Sequence, residues 1–262
     1  MRLLIHKNYE SACQWSADYI IRRINTFAPG PNKPFVIGLP TGSSPLGIYR
    51  DLITACKAGK VTFSNVISFN MDEYLGLPAD HPESYRRFMN DNFFSGIDIK
   101  MQNTHVLNGM SKDPEGECKT YEEAIKAAGG VELFMGGIGS DGHIAFNEPG
   151  SSLHSRTRVM TLTAETRQAN SRFFDGDPQK VPAKALTVGI GTVMDAREVL
   201  IIVSGRAKAR ALQAAVEGPV SHWCPLSCLQ MHEKSIIVCD EEAVEELKHG
   251  TVKYFKDIEN LA

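Results

Sequence analysis

The chain has 262 residues, 42% hydrophobic and 23% charged, with a formal net charge of −3 and a sequence pI near 6.2. That balance supports an ordinary globular core in one large domain, and it excludes a basic nucleic-acid surface or a charged interaction tail. No apolar run approaches the roughly 18 residues a spanning helix needs, MRLLIHKNYE is too short in its apolar part for a secretory leader, and six irregularly spaced cysteines read as reduced thiols, so the expected location is cytoplasmic.

Short apolar runs alternate with longer amphipathic stretches. Arg2–Ile5 predicts a first strand, followed by a helix over Glu10–Phe27. Phe35–Leu39 predicts the next strand, Pro45–Ala58 a helix, and Val66–Phe69 a strand. Glu83–Phe93 reads as helix, His105–Leu107 as a weak strand, and Pro114–Ala128 as helix. Val131–Met135, Leu186–Val188, Val199–Val203 and Ile236–Cys239 complete the strands, with helices over Ala207–Glu217 and Glu241–Phe255. Strands that are apolar throughout are expected where helices cover both sheet faces. The alternation implies right-handed crossovers and an open, mostly parallel α/β sheet of about seven strands, Rossmann-like in plan. Residues 1–262 read as one such domain. Ala164–Pro182, with a helix over Glu165–Phe174, has no sheet role and is expected to be a lid.

Three segments carry chemistry. The second strand runs into Thr41, Gly42, Ser43 and Ser44 at a helix start, where free amides, hydroxyls and the helix dipole suit an anion. The plainer reading is a βα turn with Ser44 as N-cap and Pro45 at the first helical position. Neither a Walker loop nor G-x-G-x-x-G is present, so a nucleotide is disfavoured. The third strand ends in Asn70-Met71-Asp72-Glu73, where Asp72 is a candidate general base, metal ligand or helix cap. After Val131–Met135 comes GGIGSDGHIAFNE. Gly136, Gly137 and Gly139 offer amides to a developing oxyanion. Asp141, His143 and Glu148 place a histidine between two carboxylates, which fixes a tautomer and sets basicity. Ser140 as a nucleophile is possible in principle, but the G-x-S-x-G elbow is missing. Arg172 in the lid and Lys208 after Val199–Val203 are candidate anion partners, with solvation as the alternative. His222, Cys224, Cys228 and His232 lack the paired spacing of a zinc site and are interrupted by Pro225, so buried thiols are the better account and no metal is expected.

Taken together, GLPTGSSPLG, FNMDEYLGLP with HPESY, GIGSDGHIAFNEPGSS, SRTR, NSRFFDGD, ALTVGIGTVMDAREV, ALQAAVEG and VCDE resemble the glucosamine-6-phosphate deaminase family across nearly the whole chain. The resemblance implies conversion of glucosamine 6-phosphate and water to fructose 6-phosphate and ammonium, in amino-sugar catabolism, without a metal or organic cofactor. It implies that His143 opens the sugar ring, oriented by Asp141 and Glu148. Asp72 then moves a proton between C2 and C1 through an enolamine. Gly137 would steady developing charge, while Thr41–Ser44, Arg172 and Lys208 hold the phosphate. It also implies a cytosolic homo-oligomer, often a hexamer, and a site for N-acetylglucosamine 6-phosphate as activator. Ser151, Arg158, Thr161 and Tyr254 match that site, but Met160 stands where the family has lysine. Losing a charged hydrogen bond worth about 1.5–3 kcal/mol predicts weak or absent activation. A 6-phosphogluconolactonase-like hydrolase has no need of Asp72, and a sugar-phosphate sensor needs a DNA-binding module that a strand starting at Arg2 leaves no room for.

Overall fold

A computed structural model describes residues 1–259. In chain order the elements are β1 (Arg2–His6), α1 (Tyr9–Phe27), β2 (Phe35–Leu39), α2 (Leu46–Lys57), β3 (Val66–Asn70), β4 (Asp72–Tyr74) and α3 (Tyr85–Asn92). Then come β5 (Thr104–His105), α4 (Pro114–Ala127), β6 (Leu133–Gly137), β7 (Arg158–Thr161) and α5 (Ala164–Asn170). The chain ends with β8 (Lys184–Thr187), α6 (Ile190–Met194), β9 (Val199–Val203), α7 (Ala209–Glu217), β10 (Ser235–Asp240) and α8 (His249–Glu259).

Seven strands form a parallel sheet in the order β1-β10-β9-β6-β2-β3-β5. Successive side chains on a strand point to opposite faces, and β9 makes the consequence visible. Val199, Ile201 and Val203 join the apolar cluster that includes α4 and α7. Leu200 and Ile202 join the cluster that includes α1 and α2. All five are buried, and each such side chain contributes about 1.5–3 kcal/mol relative to exposure. Helices on both faces therefore explain why these strands read as continuous apolar runs.

Leu186–Val188 corrects the expected plan. The observed β8 is in a second, three-stranded sheet, antiparallel to both β4 and β7, while the weak strand near His105 takes the seventh place in the main sheet. The expected C-terminal helix over Glu241–Phe255 is also broken. Glu242–Val244 forms a 3-10 turn, and α8 starts only at His249. At the second helix, Pro45 is the N-cap and no side chain caps it, so the expected Ser44 cap is not observed. Segment 164–182 is not structureless: α5, a 3-10 turn over Ser171–Phe173 and a buried cluster of Tyr74, Phe146, Leu162, Phe174, Val181 and Ala185 tie it to the small sheet.

The sheet order locates the site. From β2 the chain adds β3 and β5 on one side, then returns to lay β6, β9 and β10 on the other. Building direction thus reverses between β2 and β6, and ligands in open α/β sheets bind beyond the carboxyl ends of strands at such a reversal.

Candidate active site

Thr41–Ser44 leaves β2 at this reversal, and a Cβ on Gly137 at the end of β6 would lie 3.8 Å from the Ser44 hydroxyl. Among the described residues the amides of Thr41, Gly42, Ser43 and Ser44 meet no acceptor. The loop is held from behind instead. The Tyr9 hydroxyl donates to the Ser44 carbonyl at 3.0 Å and accepts the Gly47 amide at 2.9 Å. The Tyr49 hydroxyl donates to the Pro40 carbonyl. A rigid turn with unspent amides at a helix start is built for an anion. Tyr9 was not singled out in the sequence, because its partners lie 35 and 38 residues away.

Beyond β6 the loop folds on itself. The Gly139 amide donates to the His143 carbonyl at 2.9 Å, so this amide is spent on loop closure and not free for an oxyanion as expected. Gly136 and Gly137 are paired with Ile201 and Ile202 of β9. A Cβ on Gly139 would lie 2.2 Å from the His143 ring; glycine is what lets the imidazole lie there. His143 Nδ1 is 2.7 Å from Asp141 Oδ1, with both side chains partly exposed, and Asp141 also accepts the His143 amide at 3.2 Å. Burial pushes the Asp141 carboxyl up, but the His143 ring and amides outweigh it and leave the group below its ordinary value. An ionised Asp141 facing Nδ1 favours the proton there, which leaves Nε2 as the basic nitrogen.

Glu148 takes its hydrogen bonds away from the histidine. It makes no hydrogen bond to His143 among the described residues. Its carboxylate accepts the Thr163 amide at 3.3 Å, the Thr163 hydroxyl at 3.1 Å, and the Thr166 hydroxyl. Thr163 is the N-cap of α5, where the helix dipole and unpaired amides favour a carboxylate. Sequence proximity suggested a triad; the threonines 15 and 18 residues downstream won because helix-terminal donors must be satisfied.

The neighbouring carboxylates Asp72 and Glu73 separate into two roles. Glu73 accepts the amides of Tyr74 and Tyr85 at 2.9 Å and of Arg86 at 3.0 Å, so it caps α3. Asp72 is buried, and no donor meets its carboxylate among the described residues. Burial and the adjacent Glu73 push it up to about 8. A buried carboxylate without donors is costly, and such groups concentrate at functional sites.

Lys208 enters from the turn after β9. Burial pulls its ammonium below the ordinary value; Asp141 opposes that and Arg172 adds to it. Lys208 is therefore within electrostatic reach of both Asp141 and Arg172. Arg172 itself is exposed and lies over the Phe173 ring.

Of the four residues matched to an activator site, Arg158 Nη2 donates to the Ser151 hydroxyl at 3.2 Å, and Nη1 to Asn147 Oδ1 at 2.7 Å. Thr161 ends β7 at the Lys184 register. Tyr254 is exposed on α8 and makes no hydrogen bond to this group among the described residues. His232 spends one ring nitrogen on the Ala196 carbonyl and the other on the Lys234 amide.

The sequence model of a family described as glucosamine-6-phosphate isomerases/6-phosphogluconolactonase matches residues 7–238. Glucosamine-6-phosphate deaminase of Phocaeicola vulgatus is 62% identical over 259 residues, 99% of this chain and 98% of its own. That of Yersinia enterocolitica is 58% identical over 259 residues, 99% of this chain and 97% of its own. A solved structure described as a monomeric glucosamine-6-phosphate deaminase superposes with a TM-score of 0.89 at 39% identity, over 94% of this chain and 100% of its own. The 6-phosphogluconolactonase from Trypanosoma cruzi, at 18% identity and a TM-score of 0.73 over 94% of this chain and 97% of its own, shares the fold. With its sheet order, its reversal-point site and these likenesses, the chain belongs to the family of glucosamine-6-phosphate isomerases and 6-phosphogluconolactonases, and it is an enzyme.

Proposed function

We propose that this enzyme converts glucosamine 6-phosphate and water to fructose 6-phosphate and ammonium, as a single α/β domain with a lid over residues 164–182. The observation that carries the reading is Asp72. A lactone hydrolase needs no base for a carbon-bound proton, whereas an aldose–ketose conversion does. A buried carboxylate without donors, pushed up to about 8, suits that task near neutral pH. The relatives at 58–62% identity support the same substrate.

The sugar phosphate lodges against the Thr41–Ser44 amides, with Lys208 and Arg172 supplying charge. Binding energy at this remote group positions the reacting carbons. His143 Nε2 takes the proton of the C1 hydroxyl and returns one to the ring oxygen, breaking the C1–O5 bond and leaving an open aldehyde. Asp141 holds the tautomer and stabilises the imidazolium. The aldehyde acidifies the C2 proton, which Asp72 removes while the substrate ammonium passes a proton to O1, giving an enolamine. Asp72 then delivers the proton to C1, leaving an iminium at C2. Water adds there, and ammonia leaves to be protonated to ammonium. Glu148 holds the α5 end of the lid over this chamber.

The test is ammonium release. Purified protein is expected to release ammonium from glucosamine 6-phosphate in step with fructose 6-phosphate. Hydrolysis of 6-phosphogluconolactone without any ammonium release would overturn the reading.

A further inference from the structure

We infer that Asp240 is a positioning residue for phosphate binding, acting through the backbone of the turn that carries Lys208. The inference rests on the proposed role of Lys208. Asp240 ends β10 beside β9, where Cys239 is in register with Val203. The residue is 4% exposed, and among the described residues no cation pairs with its carboxylate. Neutral donors surround it instead. The Gly205 amide donates to both oxygens, at 3.0 and 3.1 Å, the Ala243 amide donates at 2.9 Å, and the Ser204 hydroxyl donates to Oδ2.

Ser204 and Gly205 are the two residues between β9 and the 3-10 turn Arg206–Lys208. Gly205 has φ +83° and ψ 155°, a conformation open to glycine and costly for other residues. Nothing intrinsic holds a glycine there, since it has more conformational freedom to lose than any other residue. Asp240 supplies that restraint by fixing the Gly205 amide. The Gly205 carbonyl in turn accepts the Lys208 amide at 3.0 Å, so the direction in which Lys208 leaves the turn follows from the Gly205 peptide plane. The link from Asp240 to Lys208 runs through the Gly205 peptide.

A carboxylate is needed because two oxygens must accept. Asparagine offers one acceptor oxygen and turns an NH2 group toward donors. Asp240→Asn is therefore expected to raise KM for glucosamine 6-phosphate and the inhibition constant of inorganic phosphate by about ten-fold, with kcat changed less than about three-fold, the pattern of lost uniform binding. Lys208→Ala is expected to raise both constants at least as far, and Asp240→Asn added to Lys208→Ala should cost nothing more, since residues acting as one unit are not additive. Multiplying losses in the double variant would overturn the inference, as would a kcat loss with unchanged phosphate affinity. Should Asp240→Asn fail to fold, Ser204→Ala removes one of the bonds and is expected to give the same pattern at about two- to three-fold; no change in phosphate affinity there is equally fatal. Calorimetric titration of inorganic phosphate separates the two readings. Phosphate binding that weakens in Asp240→Asn, in a protein that releases no ammonium, overturns the deaminase reading and sustains the positioning role. Full ammonium release with unaltered phosphate affinity in Asp240→Asn does the reverse.

Discussion

In the proposed mechanism Asp72 gives the reaction a signed pH dependence. To take the C2 proton it must be ionised, and burial with Glu73 beside it puts that ionisation at about 8. The kcat/KM profile is therefore expected to rise with pH through about 8 as a single step, reporting the free enzyme. Asp72→Asn should lose about 10²- to 10⁴-fold in turnover and lose this limb while still binding inorganic phosphate. Stability should move the opposite way. Between the ordinary carboxyl value of 3.8 and about 8, the folded state holds a proton that the unfolded state releases, so this group lowers stability as pH rises through that window. Asp72→Asn is expected to unfold at a higher temperature than the unaltered protein at pH 9, with the difference shrinking toward pH 4; a variant less stable at pH 9 would refute it. Gly139 is a second single-residue case. A Cβ 2.2 Å from the His143 ring must displace the imidazole. Since about 1 Å of misplacement can cost about 10²-fold, Gly139→Ala is expected to lower kcat by that order with the circular dichroism spectrum retained.

At the scale of elements, Glu148 joins the site loop to the start of α5. Removing one N-cap acceptor costs about 1 kcal/mol, and Glu148→Ala removes the acceptor for three donors. Amide exchange over residues 164–170 is expected to speed up in that variant, with β9 and β10 unchanged; unchanged exchange in α5 would dismiss the link. The same region shows what the sequence could and could not convey. The parallel strands were legible because helices on both faces make them apolar throughout, as in Val199–Val203. β4 and β7 were not, because three or four residues with charged members carry no periodicity, and their pairing with β8 is set by tertiary contacts. Asp72, Asp141 and His143 were legible because each follows a main-sheet strand within a few residues. The real partners of Glu148 were hidden for the opposite reason, lying in a later helix cap. Tyr9 holds the Ser44 turn from another element, as Asp240 does the Lys208 turn in its proposed role, and nothing local in the sequence marks either of them.

Across the whole molecule, regulation by N-acetylglucosamine 6-phosphate requires a second site whose occupancy favours one state of the first. Arg158 has a physical route for such coupling. Its guanidinium binds Ser151 on one side and Asn147 on the other, and Asn147 is the residue before Glu148, which accepts from Thr163 at the start of α5. Arg158 and Met160 share a face of β7, being two residues apart on one strand. The thioether of Met160 offers a sugar phosphate neither charge nor a donor, where the family resemblance expects lysine. At about 1.5–3 kcal/mol for a charged hydrogen bond, the missing contact weakens an activator by roughly ten- to 150-fold. Velocity against glucosamine 6-phosphate is therefore expected to be nearly unchanged by micromolar N-acetylglucosamine 6-phosphate, and Met160→Lys is expected to introduce a response. Strong activation of the unaltered chain at micromolar activator would show that Arg158 and Ser151 suffice without the lysine.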